Sequence, residues 1–171
     1  MSLRLLATGA CAALLLTACL VPERFTARIA FAADGSYAYS YAGTAVHTLT
    51  AGQMGKGSGG EAGSPKRYDL SVEGKRQRAQ ALDLAGVLRV RTGPDGVLNL
   101  QAGKLDDKEK ASMARLGIKL DGTLSVTVPI SAEVIAHNAT TTPSFFGLIG
   151  TYAWKIDSLE QRPQIVIRFK Q

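Results

Sequence analysis

Histidine and cysteine are nearly missing from this 171-residue chain, with two of each. Both cysteines, Cys11 and Cys19, fall in the first nineteen residues. No disulfide framework and no thiolate metal set can be built from that pair. His47 and His137 stand ninety residues apart, without the His-x-x-x-His or His-Glu-x-x-His spacing that places two imidazoles on one helix face. A Gly-x-Ser-x-Gly nucleophile elbow is absent, and Gly55-Lys56 lacks the Ser or Thr that a phosphate loop needs after its lysine. Nor does any apolar run reach the roughly 20 residues that cross a bilayer as a helix. These absences lead to the expectation of a non-enzymatic chain with no catalytic residue, no metal and no cofactor.

What is present is informative at the amino terminus. Residues 1–18 carry one positive charge, Arg4, no acidic residue, and an apolar stretch from Leu5 to Leu16 that ends in small residues. That is the pattern of an export signal that is later removed. Its last residues, Leu16-Thr17-Ala18-Cys19, resemble the lipobox of bacterial lipoprotein precursors. The resemblance implies cleavage between Ala18 and Cys19, a diacylglyceryl group on the Cys19 thiol and acylation, of the palmitate class, at the new amino terminus. Cys11 follows the weaker triplet Thr8-Gly9-Ala10 and is expected to leave with the signal. The ordinary Ala-x-Ala cleavage pattern occurs downstream only at Ala30-Phe31-Ala32, too far from the apolar stretch.

The expected organisation is a signal at 1–18, a lipidated tether at 19–24 and a single β-rich domain at 25–171. Loss of the signal removes Arg4 and leaves about +5 of the precursor's formal +6. Such a charge suits an anionic envelope surface, and an exported lipoprotein does not meet nucleic acid. The expected location is the cell envelope. Leu20 follows the cysteine where inner-membrane retention in two-membraned bacteria uses aspartate, which favours the outer membrane there. The short tether should hold the domain close to lipid.

Phe25, Ala27, Ile29 and Phe31 alternate with smaller or polar residues, Asp34-Gly35 offers a turn, and Tyr37, Tyr39 and Tyr41 alternate again. This is a hairpin signature. Spacing over 44–54 permits a short helix, after which the glycines of 52–65 form a flexible loop; they match Gly-x-Gly-x-x-Gly but lack the following helix of a dinucleotide site. Strands are predicted at 68–74, 87–92, 97–101, 119–129, 133–138, 150–156 and 164–169. Lys75-Arg76-Gln77-Arg78, with Arg89 and Arg91, is either a solvated face or a basic patch toward lipid phosphates. The clearest helix is 106–117, with Asp106 as cap, Glu109 three residues on, and Gly117 to end it. The fold expected from this reading is α+β: a curled antiparallel sheet of about six to eight strands with one or two helices packed on it.

The order of a strand with Asp121-Gly-Thr, its closing Pro129, Val134 through Asn138, a variable loop, and Tyr152-Ala-Trp154-Lys-Ile resembles the LppM-type domain of bacterial lipoproteins. The resemblance spans most of residues 19–170, though the loops 52–65 and 143–150 have no counterpart in it. It implies a small β-rich domain with a helix, anchored at the cell surface and handling envelope lipids without catalysis.

Pro143-Ser-Phe-Phe-Gly-Leu-Ile-Gly150 places four large apolar residues where a solvated turn would be polar. Phe145, Phe146, Leu148 and Ile149 either fold back as a lid on the core or form a flap that contacts a ligand or the membrane. The functional expectation is a lipid-anchored protein that binds an amphiphile or the membrane surface. The alternative is an accessory subunit that docks on another envelope protein.

Overall fold

In the computed structural model, which describes residues 20–47, 67–84, 88–103, 107–143, 149–158 and 160–170, the period-two alternation of the sequence becomes two facing sheets. Strand β1 (Leu20–Phe31) turns at Asp34-Gly35 into β2 (Tyr37–His47), and β3 (Arg67–Arg76) pairs antiparallel with β2. The turn is held by Ala32 N, which donates to Ser36 O at 2.8 Å, and by Asp34 Oδ1, which accepts from Ser36 N. Gly35 has φ of 81°, a left-handed conformation that side chains resist.

The chain then builds a second sheet. β4 (Leu82–Leu84), β5 (Leu88–Thr92) and β6 (Leu98–Ala102) form a meander, and helix α1 (Asp107–Arg115) follows. Next β7 (Asp121–Pro129) returns to the first sheet and lies parallel to β1, from Arg24 opposite Asp121 to Ala30 opposite Thr127. A parallel neighbour requires such a crossover; here the meander and α1 supply it. β8 (Ala132–His137) and β10 (Gln164–Phe169) join the second sheet, and β9 (Ile149–Ile156) joins the first. The strand orders are β3-β2-β1-β7-β9 and β4-β5-β6-β10-β8.

The α+β expectation of one curled antiparallel sheet with one or two helices is therefore wrong. The protein is mostly β, with two five-stranded sheets, a parallel pair inside one of them, and one nine-residue helix among the described residues. The physical reason lies in the number of apolar faces. Each sheet has a single apolar face: Phe25, Ala27, Ile29, Leu124, Val126 and Trp154 on one, and Leu88, Val90, Leu98, Leu100, Ile165 and Ile167 on the other, all in one core cluster. Two such faces satisfy each other by stacking. Phe31 and Phe169, 5.7 Å apart, meet across the interface.

The helix covers only a corner. β1 carries a bulge between Pro22 and Arg24, so the pairing before it is shifted by one residue. Such a shift reverses the faces. Val21 thus leaves the main core to join Val46, which alternation in β2 already turns outward, and both pack with Met113 of α1 and with Ile118 in a second cluster. Residues 20–24, expected as part of a tether, are strand. The helix expected over 44–54 is β2 as far as residue 47, and its remainder, the glycine loop 52–65, and Asp106 lie outside the described residues.

The tyrosine row is structural. Tyr37 and Tyr41 are buried, and the Tyr37 hydroxyl donates to Gln80 O at 2.7 Å. Burial pushes both phenols up to about 12. An unfolded tyrosine titrates near about 10, so the folded protein holds these protons more tightly. The resulting stability is complete below pH of about 10 and is lost as pH climbs through about 12. Denaturant unfolding at stepped alkaline pH should show this decline, with Tyr37→Phe flattening part of it. An unchanged slope in that variant would refute the assignment.

Candidate functional site

The two ends of the sandwich differ, and β1 defines them. Leu20 begins the strand one peptide bond after Cys19, and twelve residues at about 3.3 Å each carry the chain roughly 40 Å to Phe31. At the starting end Val21 packs against α1 and Ile118. The far end holds the Asp34-Gly35 turn.

The described neck of the apolar loop, Pro143 with Ile149 and Gly150, lies at the far end. Because β7 runs parallel to β1, its last residue, Pro129, lies beyond the level of Ala30, and Pro129 pairs with Ile149. A Cβ on Gly150 would fall 2.7 Å from Pro143 Cγ, so the two stems of the loop touch. Phe145, Phe146 and Leu148 lie outside the described residues; Ile149 is placed by its backbone in β9. The loop neck is thus about a strand length from Cys19.

The Lys75–Arg78 cluster also sits far from Cys19, since Arg76 pairs with Tyr37 beside the turn. Its members face different neighbours. The Arg76 guanidinium lies 5.6 Å from the Tyr39 ring centre, while that of Arg78 lies 5.5 Å from Phe169 and donates to Gly96 O at 3.4 Å. Arg89 is paired with Asp83 at 2.9 Å. These contacts explain the basic residues as packing at the sandwich end rather than as one patch toward lipid.

His137 and Asn138 are absorbed by structure as well. His137 is exposed, its Nδ1 accepts from Ala139 N at 3.2 Å, and its ring sits 4.8 Å from Tyr152. Asn138 Oδ1 accepts from Trp154 Nε1 at 2.9 Å and from Gln164 N at 2.8 Å, and its Nδ2 donates to Arg162 O at 2.7 Å. Among the described residues no group of three or more His, Cys, Asp or Glu is arranged to hold a metal.

The described residues outline two open grooves of note. One, of about 560 Å³, lies on the outer face of the first sheet and is lined by Arg28, Ala38, Ser40, Glu73, Lys75 and Thr127 among others. The other, of about 600 Å³, lies at the starting end, between β1 and the segment leading into β7, with Glu23, Arg24, Ile118, Lys119, Leu120, Asp121 and Asp157 around it. Glu23 is clamped by Arg67 through two bonds of 2.8 and 3.0 Å. The Arg67 hydrogen bond holds the Glu23 carboxyl below the usual carboxylate range. Asp121 is paired with Lys155. Sequence reading missed this cluster because Arg24, Lys119 and Asp157 come from three distant segments with no shared motif.

No family profile and no curated protein matches the chain. Among solved structures it is similar to an M1 zinc metallopeptidase from Deinococcus radiodurans, both in a substrate-bound mutant form (TM-score 0.38) and in a second structure (TM-score 0.37), at 10% identity in each. The match covers 88% and 87% of this chain, and 42% of the peptidase in both cases. The chain thus spans less than half of that enzyme's length, and a likeness at these scores carries no argument about function.

Proposed function

We propose that this protein is a lipid-anchored, non-enzymatic lipoprotein of the cell envelope that holds a β-sandwich against its membrane and binds an amphiphile at the opposite end. The observation that carries the reading is the adjacency of Cys19, the acylated residue of the lipobox, to the first strand residue, Leu20. The anchor and the fold are then one continuous unit. The interior supports a binding rather than a carrier role within the core, because it is filled by large side chains such as Leu98, Leu100, Ile165 and Ile167.

A strand length of β1 separates the described neck of the loop that carries Phe145, Phe146, Leu148 and Ile149, at Pro143 and Gly150, from the Cys19 end. The membrane of the anchor is therefore a poor target for it, and a free amphiphile or a facing surface is a better one. The second reading, docking on another envelope protein, is favoured by the groove over Arg28 and Lys75, which is open and shallow.

Mass spectrometry of the amino-terminal peptide tests the anchor, with diacylglyceryl-Cys19 as the expected species. For the loop, Phe145→Ser with Phe146→Ser in the domain made without the anchor should keep the melting temperature and lose binding of a fluorescent fatty acid. If the two rings pack a core instead, each truncation costs about 3 to 5 kcal/mol and the melting temperature collapses. A wild-type domain that binds no fatty acid would leave protein docking as the function.

A further inference from the structure

Anchoring without slack fixes which surface meets the lipid. With Cys19 in the bilayer interface and β1 starting at the next residue, the part of the fold nearest the headgroups is the starting end of β1. There Val21 is packed on Met113 and Ile118, and Ile118 lines the groove together with Arg24 and Lys119. Arg24 and Lys119 are both exposed; neither belongs to an ion pair among the described residues, although Arg24 helps lower the Glu23 carboxyl. The carboxylates beside them are largely committed: Glu23 to Arg67, Asp121 to Lys155. Asp157 is the one groove carboxylate outside an ion pair among the described residues. With Arg67 and Lys155 neutralising Glu23 and Asp121, Arg24 and Lys119 stand against Asp157, so the groove together with its ion-pair partners is positive by one charge.

We infer that this groove seats on the phosphate headgroup layer of the membrane that holds Cys19, with Arg24 and Lys119 as the phosphate-binding groups. The inference rests on the lipid-anchor reading. The chemistry suits the place: ammonium and guanidinium groups bind phosphate oxygens as charge-assisted donors. Next to an anionic surface each such group favours the docked orientation by about fivefold. Seating on the headgroups turns the anchor from a flexible leash into a fixed posture, with the Asp34-Gly35 turn at the end away from the bilayer.

The test uses the full lipidated protein, reconstituted in phosphatidylglycerol vesicles and, separately, kept in detergent. A water-soluble amine-acylating reagent is applied, and labelling of each lysine is read by peptide mass spectrometry. Lys75 and Lys170 serve as references, since both are exposed and Lys170 follows Phe169 at the far end. Labelling of Lys119 relative to these two should fall on the order of tenfold in vesicles compared with detergent. Arg24→Glu, whose melting temperature checks that it folds, should restore most of the Lys119 labelling.

Equal Lys119 labelling in vesicles and detergent would overturn the seating, even with the protein firmly attached. Protection retained in phosphatidylcholine vesicles would support contact with the phosphate itself; protection confined to phosphatidylglycerol would support contact with an anionic surface. Failure of the anchor reading has a separate signature, because the protein would then not float with the vesicles at all.

Discussion

Replacing Cys19 by serine, behind an ordinary cleavable export signal, yields a folded domain that leaves the membrane fraction. In the proposed reading the thiol is the attachment point of the acyl chains, and at about 0.8 kcal/mol per buried methylene two or three chains hold far more tightly than a surface contact. Nothing else in the described chain replaces them, since no described helix is long and apolar enough to span a bilayer. If the groove seats on the headgroups as inferred, Arg24 and Lys119 add electrostatic attraction that salt screens. The variant should therefore bind weakly at low salt and be released by a high-salt wash, whereas the parent protein stays. Its melting temperature should match the parent's, because the fold begins at Leu20 and the Cys19 side chain precedes it. Sedimentation of the serine form with washed membranes would overturn the anchor reading, or reveal a second strong attachment.

Several elements of this fold were legible because short-range physics determines them. The hairpin at Asp34-Gly35, the alternation of β7 and β10, and the presence of a helix near 107–115 follow from turn chemistry, period-two burial and helix-end signals. The two-sheet architecture was not legible. Alternation shows that a strand has an apolar face, and leaves open which other face covers it. β4, only three residues long, is too short to display a period. The β1 bulge, which turns Val21 toward α1, depends on pairing register and has no residue signature. The same limit applies to the site. The lipobox proposal for Cys19 rests on four contiguous residues, while Arg24, Lys119 and Asp157 converge only through the pairing of β7 with both β1 and β9. The basic run at 75–78 looked like a surface patch, and tertiary packing put Arg78 on Phe169 instead.

The largest stability effect should come from the node that joins the sheets, Trp154 and Asn138. Trp154 belongs to β9 of the first sheet and is buried, while Gln164 begins β10 of the second. Asn138 Oδ1 accepts from both, and its Nδ2 secures Arg162 O just ahead of β10. One amide therefore ties the β8–β9 connection to each layer. Trp154→Ala removes a large core side chain and should cost about 3 to 5 kcal/mol. For a domain of this size that corresponds to a fall in melting temperature of roughly 10 °C or more. Asn138→Ala leaves the indole N–H and the Gln164 amide without their partner, at about 1 to 3 kcal/mol for each group that stays dry. Trp154→Phe keeps most of the packing but removes the indole donor, so it separates the hydrogen bond from the hydrophobic contribution. If the node acts as described, combining Trp154→Phe with Asn138→Ala costs less than the sum of the two single changes, because both remove the same bond. Strict additivity in thermal or urea unfolding, or an Asn138→Ala variant as stable as the parent, would show that the sheets hold together without it.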